Sequence, residues 1–133
     1  MMFTWPISIY YEDTDAGGVV YHSNYLNFFE RARSEWLYAM NIKQATLLEQ
    51  DVAFVVKKAD IDFIKPAKFE QKLLVNSRIQ ELKRASMVFD QELVDADGQC
   101  YCRASIVVVC VALSKMRPKS IPQLILQEFQ GAR

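Results

Sequence analysis

The chain has 133 residues, 51% hydrophobic and 12% aromatic, enough apolar mass for one sizeable core, and no Gly/Ser/Pro-rich stretch or internal repeat divides it. One domain over residues 1–133 is expected. The 16 Lys and Arg balance the 16 Asp and Glu, whereas nucleic-acid binders show a basic excess or stripe because phosphate neutralisation supplies their affinity; no nucleic-acid partner is expected, and the thin run Lys115, Arg117 and Lys119 reads as a solvated segment.

The first residues, Met1-Met2-Phe3-Thr4-Trp5-Pro6, hold no basic stretch leading into an apolar one, so no signal peptide is read there. Residues 5–13 alternate and are rich in β-branched and aromatic types, which predicts a strand. A turn cluster follows, Asp13-Thr14-Asp15-Ala16-Gly17-Gly18. From about Ser23 the period becomes helical: Tyr25, Phe28, Phe29, Ala32, Trp36, Leu37 and Met40 share one stripe, with Glu30, Arg31, Ser34 and Glu35 opposite. Asn41 is a plausible stop, and a short second helix is expected over 43–50. Strands are predicted over 52–64, closed by Lys65-Pro66, then over 69–82, 85–94 and 99–113, as a meander. Asp95-Ala96-Asp97-Gly98 predicts a hairpin, with Asp-Gly suited to a type I′ turn. The apolar run 104–113 is far short of the roughly 20 residues of a membrane helix, and its β-branched content predicts a strand buried on both faces. A last short helix is expected over 122–129. One very apolar helix needs a sheet wrapped around it, so the class is α+β.

The cysteines suit a reducing, cytoplasmic setting. Cys100 and Cys102 share a strand face, Cys110 lies in the apolar run, and an odd count without framework spacing argues against disulfides. With no C-x-x-C and one histidine, no metal site is expected.

Two acidic residues and two glycines lie between the first strand and the helix. Backbone N–H groups at a helix N-terminus are unpaired and the helix dipole favours negative charge there, so a carbonyl oxygen placed against them would be polarised as in an oxyanion hole. A glycine pair lets the chain approach a ligand closely. Bland readings compete, since Asp and Gly before a helix commonly serve as turn and cap residues. A calcium loop counted from Asp13 fails, with Gly17 at position 5 and Asn24 at position 12. A nucleophile triad would have to use His22, there is no G-x-S-x-G elbow, and the cysteines lie in strand-like settings.

The run Tyr11-Glu12-Asp13-Thr14-Asp15-Ala16-Gly17-Gly18-Val19-Val20-Tyr21-His22-Ser23-Asn24-Tyr25, followed by Phe29-Glu30-Arg31-Ala32-Arg33, closely resembles the signature of the hot-dog thioesterases. It looks most like the YbgC-type acyl-CoA thioesterases associated with the Tol–Pal system, relatives of 4-hydroxybenzoyl-CoA thioesterase. The likeness extends through Val52-Ala53-Phe54-Val55-Val56, Ile64-Lys65-Pro66-Ala67 and Val109-Cys110-Val111 through Lys115-Met116-Arg117-Pro118, so it covers nearly the whole chain. It implies the hot-dog fold, a long helix wrapped by a five- or six-stranded antiparallel sheet. It also implies homodimers with continuous sheets, often paired into homotetramers, and a site between subunits completed by residues within 52–64 of the neighbour. The catalytic carboxylate maps onto Asp15, and the backbone N–H that polarises the thioester carbonyl maps onto His22, with Tyr21 beside it in the substrate site. Asp15 could activate water as a general base or attack the carbonyl itself. Acyl-CoA, with acyl carrier protein as a further carrier, is the implied substrate; coenzyme A belongs to that substrate and no separate cofactor is expected. Its phosphates call for cations at the pocket mouth. Lys83 and Arg84 are the first candidates, with Lys57, Lys58, Lys65 and Lys68 as alternatives. Two other readings stay open: a dehydratase or hydratase pairing Asp15 with His22, and a non-enzymatic acyl-CoA-binding module.

Overall fold

The second half of the chain alternates between two environments, and in a computed structural model, which describes residues 1–132, it forms one face-covered antiparallel sheet. The elements are β1 (Phe3–Ser8), α1 (Asn24–Ala39), α2 (Gln44–Glu49), β2 (Val52–Phe63), β3 (Lys72–Leu82), β4 (Ser86–Val94), β5 (Cys100–Ala112), β6 (Arg117–Pro118) and α3 (Gln123–Ala132). The strand order is β1-β3-β4-β5-β2, with β6 pairing the end of β5. This is the expected α+β arrangement, five long strands around one helix, but the expected meander covers only β3, β4 and β5. β2 lies at the far edge beside β5 rather than beside β3. The reason is the apolar β5: a strand that deep in the sheet cannot leave its backbone groups open on one side, and β2 matches its length, pairing from Val52↔Ala112 to Phe63↔Cys102.

Three further expectations are corrected. The first strand ends at Ser8, not at residue 13, because the carboxylate of Asp13 accepts the Tyr10 N–H at 2.9 Å and turns residues 11–13 into a 3-10 turn. The hairpin after β4 is not type I′: Gly98 N–H donates to Asp95 O at 3.0 Å, and positive φ occurs at Gly98 but not at Asp97. That is a type I turn closed by a glycine in the left-handed region, the three-residue alternative. β5 is buried on one face only. Ala104, Ile106, Val108 and Cys110 lie in the core, whereas Ser105, Val107 and Val109 are half-buried because the helices cover one side of the sheet.

The core joins that inner face to α1, which buries Tyr25, Phe28, Phe29, Ala32, Trp36 and Leu37. Trp36 stacks on Phe3 and meets Phe89 and Phe129 edge-on, with ring centroids 5.6, 6.0 and 5.1 Å away. One polar residue crosses this interface. Gln91 is fully buried; its amide donates to Phe29 O and Ser77 Oγ and its carbonyl accepts from Arg33. Both amide hydrogens and the carbonyl oxygen have a partner, as a buried amide requires.

β2 contains a bulge at Lys57, between the pairs Val56↔Val108 and Lys58↔Val107. The extra residue inverts which parity faces inward. Phe54 and Val56 share the inner face before it; Ala59, Ile61 and Phe63 share it afterwards.

Candidate active site

The segment after β1 is built around its two aspartates, which have opposite surroundings. Asp13 is buried and one oxygen of its carboxylate accepts the Tyr10 N–H, while its carbonyl accepts from Tyr21 N and Asn24 Nδ2 at 2.9 and 3.0 Å. Asp15 is exposed, at the tip of a small antiparallel turn closed by the Thr14↔Val20 bridge and by Asp15 N–H to Val19 O at 2.9 Å. One carboxylate oxygen of Asp15 accepts the Gly17 N–H at 2.8 Å; the other has no protein donor among the described residues. Gly18 is needed here, with φ of +76°, and a Cβ on Gly17 would press on that carboxylate oxygen from 3.2 Å. The loop is tied to the segment after β2 by the Val19↔Lys68 bridge and by Val20 N–H to Ala67 O at 2.8 Å. Ala67 N–H in turn donates to the hydroxyl of Tyr25, on the first turn of α1. Burial raises the pKa of that phenol, so it stays a neutral strut between loop and helix.

His22 lies two residues before the first residue of α1, next to its N-cap Ser23. Its backbone N–H and that of Ser23 donate no hydrogen bond among the described residues, while Asn24 N–H returns to Tyr21 O. These free donors sit at the positive end of a helix of 16 residues. The His22 ring packs 4.5 Å from Tyr21 and 6.3 Å from Phe63, not against Asp15. Tyr21, Phe63, Ile64, Tyr11 and Phe69 form an exposed apolar rim about the loop, with Tyr11 and Phe69 edge-to-face at 5.8 Å. Of the aromatic residues that could have lined a pocket or filled the core, Tyr25, Phe28 and Phe29 are core, Phe54 is half-buried, and Tyr21 and Phe63 remain exposed beside His22.

Asp15, Tyr21 and His22 therefore share one loop between β1 and α1; Lys83 and Arg84 do not join it within one chain. Those two lie in the β3–β4 turn, where Lys83 Nζ is 3.4 Å from Glu81 in an exposed pair and Arg84 donates to Ser120. β3 begins beside the end of β1, at Ser8↔Lys72, and runs 11 residues to Leu82, a span of roughly 35 Å. The cation that the fold sets beside the loop is Lys68; Lys65 Nζ lies over the Tyr101 ring at 5.2 Å. The Tyr25 strut and the Phe63 contact were hidden in the sequence, where both residues look like ordinary members of apolar stripes. The cysteines offer no nucleophile: Cys102 and Cys110 are buried, and desolvation pushes the Cys102 thiol up to about 12.

A loop that carries an exposed carboxylate and, at the helix start, unpaired N–H groups offers a group to deprotonate water or attack an electrophilic carbonyl and donors to receive that carbonyl's oxygen. The profile of the thioesterase-like superfamily matches residues 10–129. An acyl-CoA thioester hydrolase YbgC of Escherichia coli O6:H1 is 42% identical over 129 residues, covering 97% of this chain and 96% of that one. The acyl-CoA thioesterase YbgC of Haemophilus influenzae is 46% identical over 128 residues, covering 96% and 93%. Among solved structures, a 1,4-dihydroxy-2-naphthoyl-CoA thioesterase from Synechocystis superposes with a TM-score of 0.91 at 30% identity, over 98% of this chain and 96% of that one. With the motif, the wrapped helix and these relatives in agreement, the chain belongs to the thioesterase-like superfamily and has its hot-dog fold.

Proposed function

We propose that the protein hydrolyses acyl-CoA thioesters with Asp15 as the working carboxylate. The observation that carries this reading is the division of labour in the loop: Asp13 is buried against the Tyr10 N–H, whereas Asp15 is exposed with one oxygen free, on the same loop whose far end carries the unpaired N–H groups of His22 and Ser23. The thioester carbonyl oxygen sits against these donors, which stabilise the charge that develops as the carbonyl carbon becomes tetrahedral. Asp15 then takes a proton from the attacking water, or bonds to the carbonyl carbon to give a mixed anhydride that water opens. In either case the C–S bond breaks and coenzyme A leaves as a thiolate, whose parent thiol has a pKa near ~8.5. Strong acid assistance to the leaving group is unnecessary.

The names of the relatives support the substrate class, and the exposed aromatic rim suits an apolar acyl group. A hydratase would need the His22 imidazole to act with Asp15, but that ring faces Tyr21 and Phe63.

The site is completed by a second copy. β2 ends the sheet with an open edge, which invites pairing with another strand. Lys58 and Asp60, opposite Val107 and Ser105, share the outer face on either side of Ala59. Two β2 strands paired antiparallel about Ala59 would set each Lys58 against the partner's Asp60. The same two-fold turns the partner end for end and carries the partner's Lys83 and Arg84 toward the Asp15 end, where coenzyme A phosphates would need cations.

Free-thiol release across short, long and aromatic acyl-CoAs tests the reaction. Turnover of at least one class is expected; hydration of an enoyl-CoA without thiol release would replace this reading with the hydratase.

A further inference from the structure

The Asp15 loop is fastened to the fold through a neighbouring segment. Between Tyr11 and Tyr21 the loop bonds to itself, with Asp15 N–H to Val19 O, Gly18 N–H to Asp15 O and Tyr21 N–H to Asp13 O at 2.9, 3.0 and 2.9 Å. Among the described residues, the backbone bonds that tie residues 14–20 to the rest of the fold run to Ala67 and Lys68. They are Val20 N–H to Ala67 O at 2.8 Å and the Val19↔Lys68 bridge. The placement of Asp15 therefore depends on where residues 67 and 68 sit.

Two side chains hold the amides of those residues, in opposite surroundings. Lys68 N–H donates to Gln71 Oε1 at 2.7 Å in an exposed position, where water can take the place of the side chain. Ala67 N–H donates to the Tyr25 hydroxyl at 3.1 Å in a buried one; Ala67 is fully buried and Tyr25 is 4% exposed. Water cannot replace that acceptor unless the core opens. The ring that carries the hydroxyl is itself fixed, edge-on to Phe28 at 6.1 Å and to Phe63 at 5.6 Å. Tyr25 is the second residue of α1, so it moves with the helix start that follows the free N–H groups of His22 and Ser23. One side chain thus links the two parts of the site, those donors and, through Ala67 and Val20, the arm that carries Asp15.

We infer that Tyr25 is a positioning residue of the reaction: its hydroxyl holds Ala67, and through it the Asp15 loop, in register with the start of α1. The kinetic consequence rests on the thioesterase reading, whereas the chain of contacts does not. Asp15 acts on a carbonyl that the helix-start donors hold, so carboxylate and donors must keep a fixed spacing. A misplacement of about 1 Å can cost on the order of 10²-fold in rate. Loss of the hydroxyl leaves the ring packing in place and strands the Ala67 N–H as a buried donor without an acceptor, so residues 67 and 68 shift to regain one.

The test compares Tyr25→Phe with the parent, with Gln71→Ala and with Asn41→Val, a destabilising change at the opposite end of α1, where φ is +61°. Thiol release from an acyl-CoA, amide hydrogen exchange and thermal melting are read on each. Tyr25→Phe should lower kcat roughly tenfold to 100-fold, with KM kept within about threefold because the contacts that bind the resting substrate remain. Exchange at the Asp15 and Val20 amides should quicken about tenfold, while amides in the middle of β5 keep their rates. Gln71→Ala should keep kcat within about threefold, since water replaces its carbonyl. Asn41→Val should lower Tm and leave kcat and the loop amides alone, which separates positioning from lost stability. In the parent itself the Ala67 amide should be protected about tenfold or more beyond that of Lys68, a measurement that keeps the test sharp if Tyr25→Phe folds poorly. Unchanged kcat in Tyr25→Phe, a loss shared equally by Asn41→Val, unchanged exchange at Val20, or equal protection of Ala67 and Lys68 would overturn the assignment. So would an effect on KM alone, which would make Tyr25 a substrate contact. A parent that released no thiol from any acyl-CoA would remove the thioesterase reading; faster Val20 exchange in Tyr25→Phe would still uphold its hold on the loop, and equal rates would still overturn it.

Discussion

Asp13 and Asp15 are the same side chain two residues apart, and their neighbours assign them different work. Asp15→Asn keeps an oxygen for the Gly17 N–H but loses the charge needed to take a proton or attack a carbonyl. Its kcat for thioester hydrolysis should fall roughly 10²–10⁴-fold, with an unchanged melting curve. Asp13→Asn should show the converse pattern: most activity kept, and about 1 kcal/mol of stability lost as a charged acceptor for the Tyr10 N–H becomes neutral. Turnover in both variants with thermal denaturation alongside decides the matter. A dead, folded Asp13→Asn would exchange the two roles.

At the scale of elements, the end of α1 is set by a single backbone conformation. Asn41 has φ of +61°, its N–H donates to Tyr38 O at 2.9 Å, and Ile42 N–H donates to Leu37 O at 2.9 Å. This pair of bonds is the Schellman closure, which favours glycine or asparagine at this position. Asn41→Gly should be neutral or slightly stabilising. Asn41→Val, β-branched in the left-handed region, should cost about 1–2 kcal/mol and lower Tm by roughly 3–10 °C, with kcat retained because the opposite end of the helix carries the site. Equal melting temperatures for the two variants would show that the closure does not limit stability. The bulge at Lys57 is the comparable device in β2: without the extra residue the same strand would turn Ile61 and Phe63 away from α1.

For the whole molecule, the open edge of β2 and the distance between Asp15 and the Lys83–Arg84 turn lead to one expectation, a dimer whose sites are shared. Cross-strand charge pairs contribute roughly 0.2–1 kcal/mol each. Lys58→Asp exchanges two such attractions for repulsions, so it should weaken the dimer about fivefold to 100-fold. The double swap Lys58→Asp with Asp60→Lys should restore it, and sedimentation across a dilution series reads both effects. A fully active monomer would remove the shared site. Replacing Lys83 and Arg84 together by Ala should raise KM for an acyl-CoA and spare an acyl-N-acetylcysteamine, which lacks the nucleotide. Equal losses on both substrates would make these residues structural.

The sequence by itself determined the α1 stripe, the stop at Asn41, the approximate strands and the motif around Asp15, because each rests on neighbours within a few residues whose spacing the chain displays directly. It could not determine that β2 leaves the meander for the far edge, since that choice depends on which strand β5 needs as a partner. The burial of Asp13 against the exposure of Asp15 was equally hidden: both are acidic residues in one turn, and only the closed loop gives one of them the Tyr10 N–H. Lys83 and Arg84 stood out as a basic turn, yet their distance from Asp15 follows from the length of β3. Contacts between residues tens of positions apart have no periodicity to announce them, so packing alone decided those.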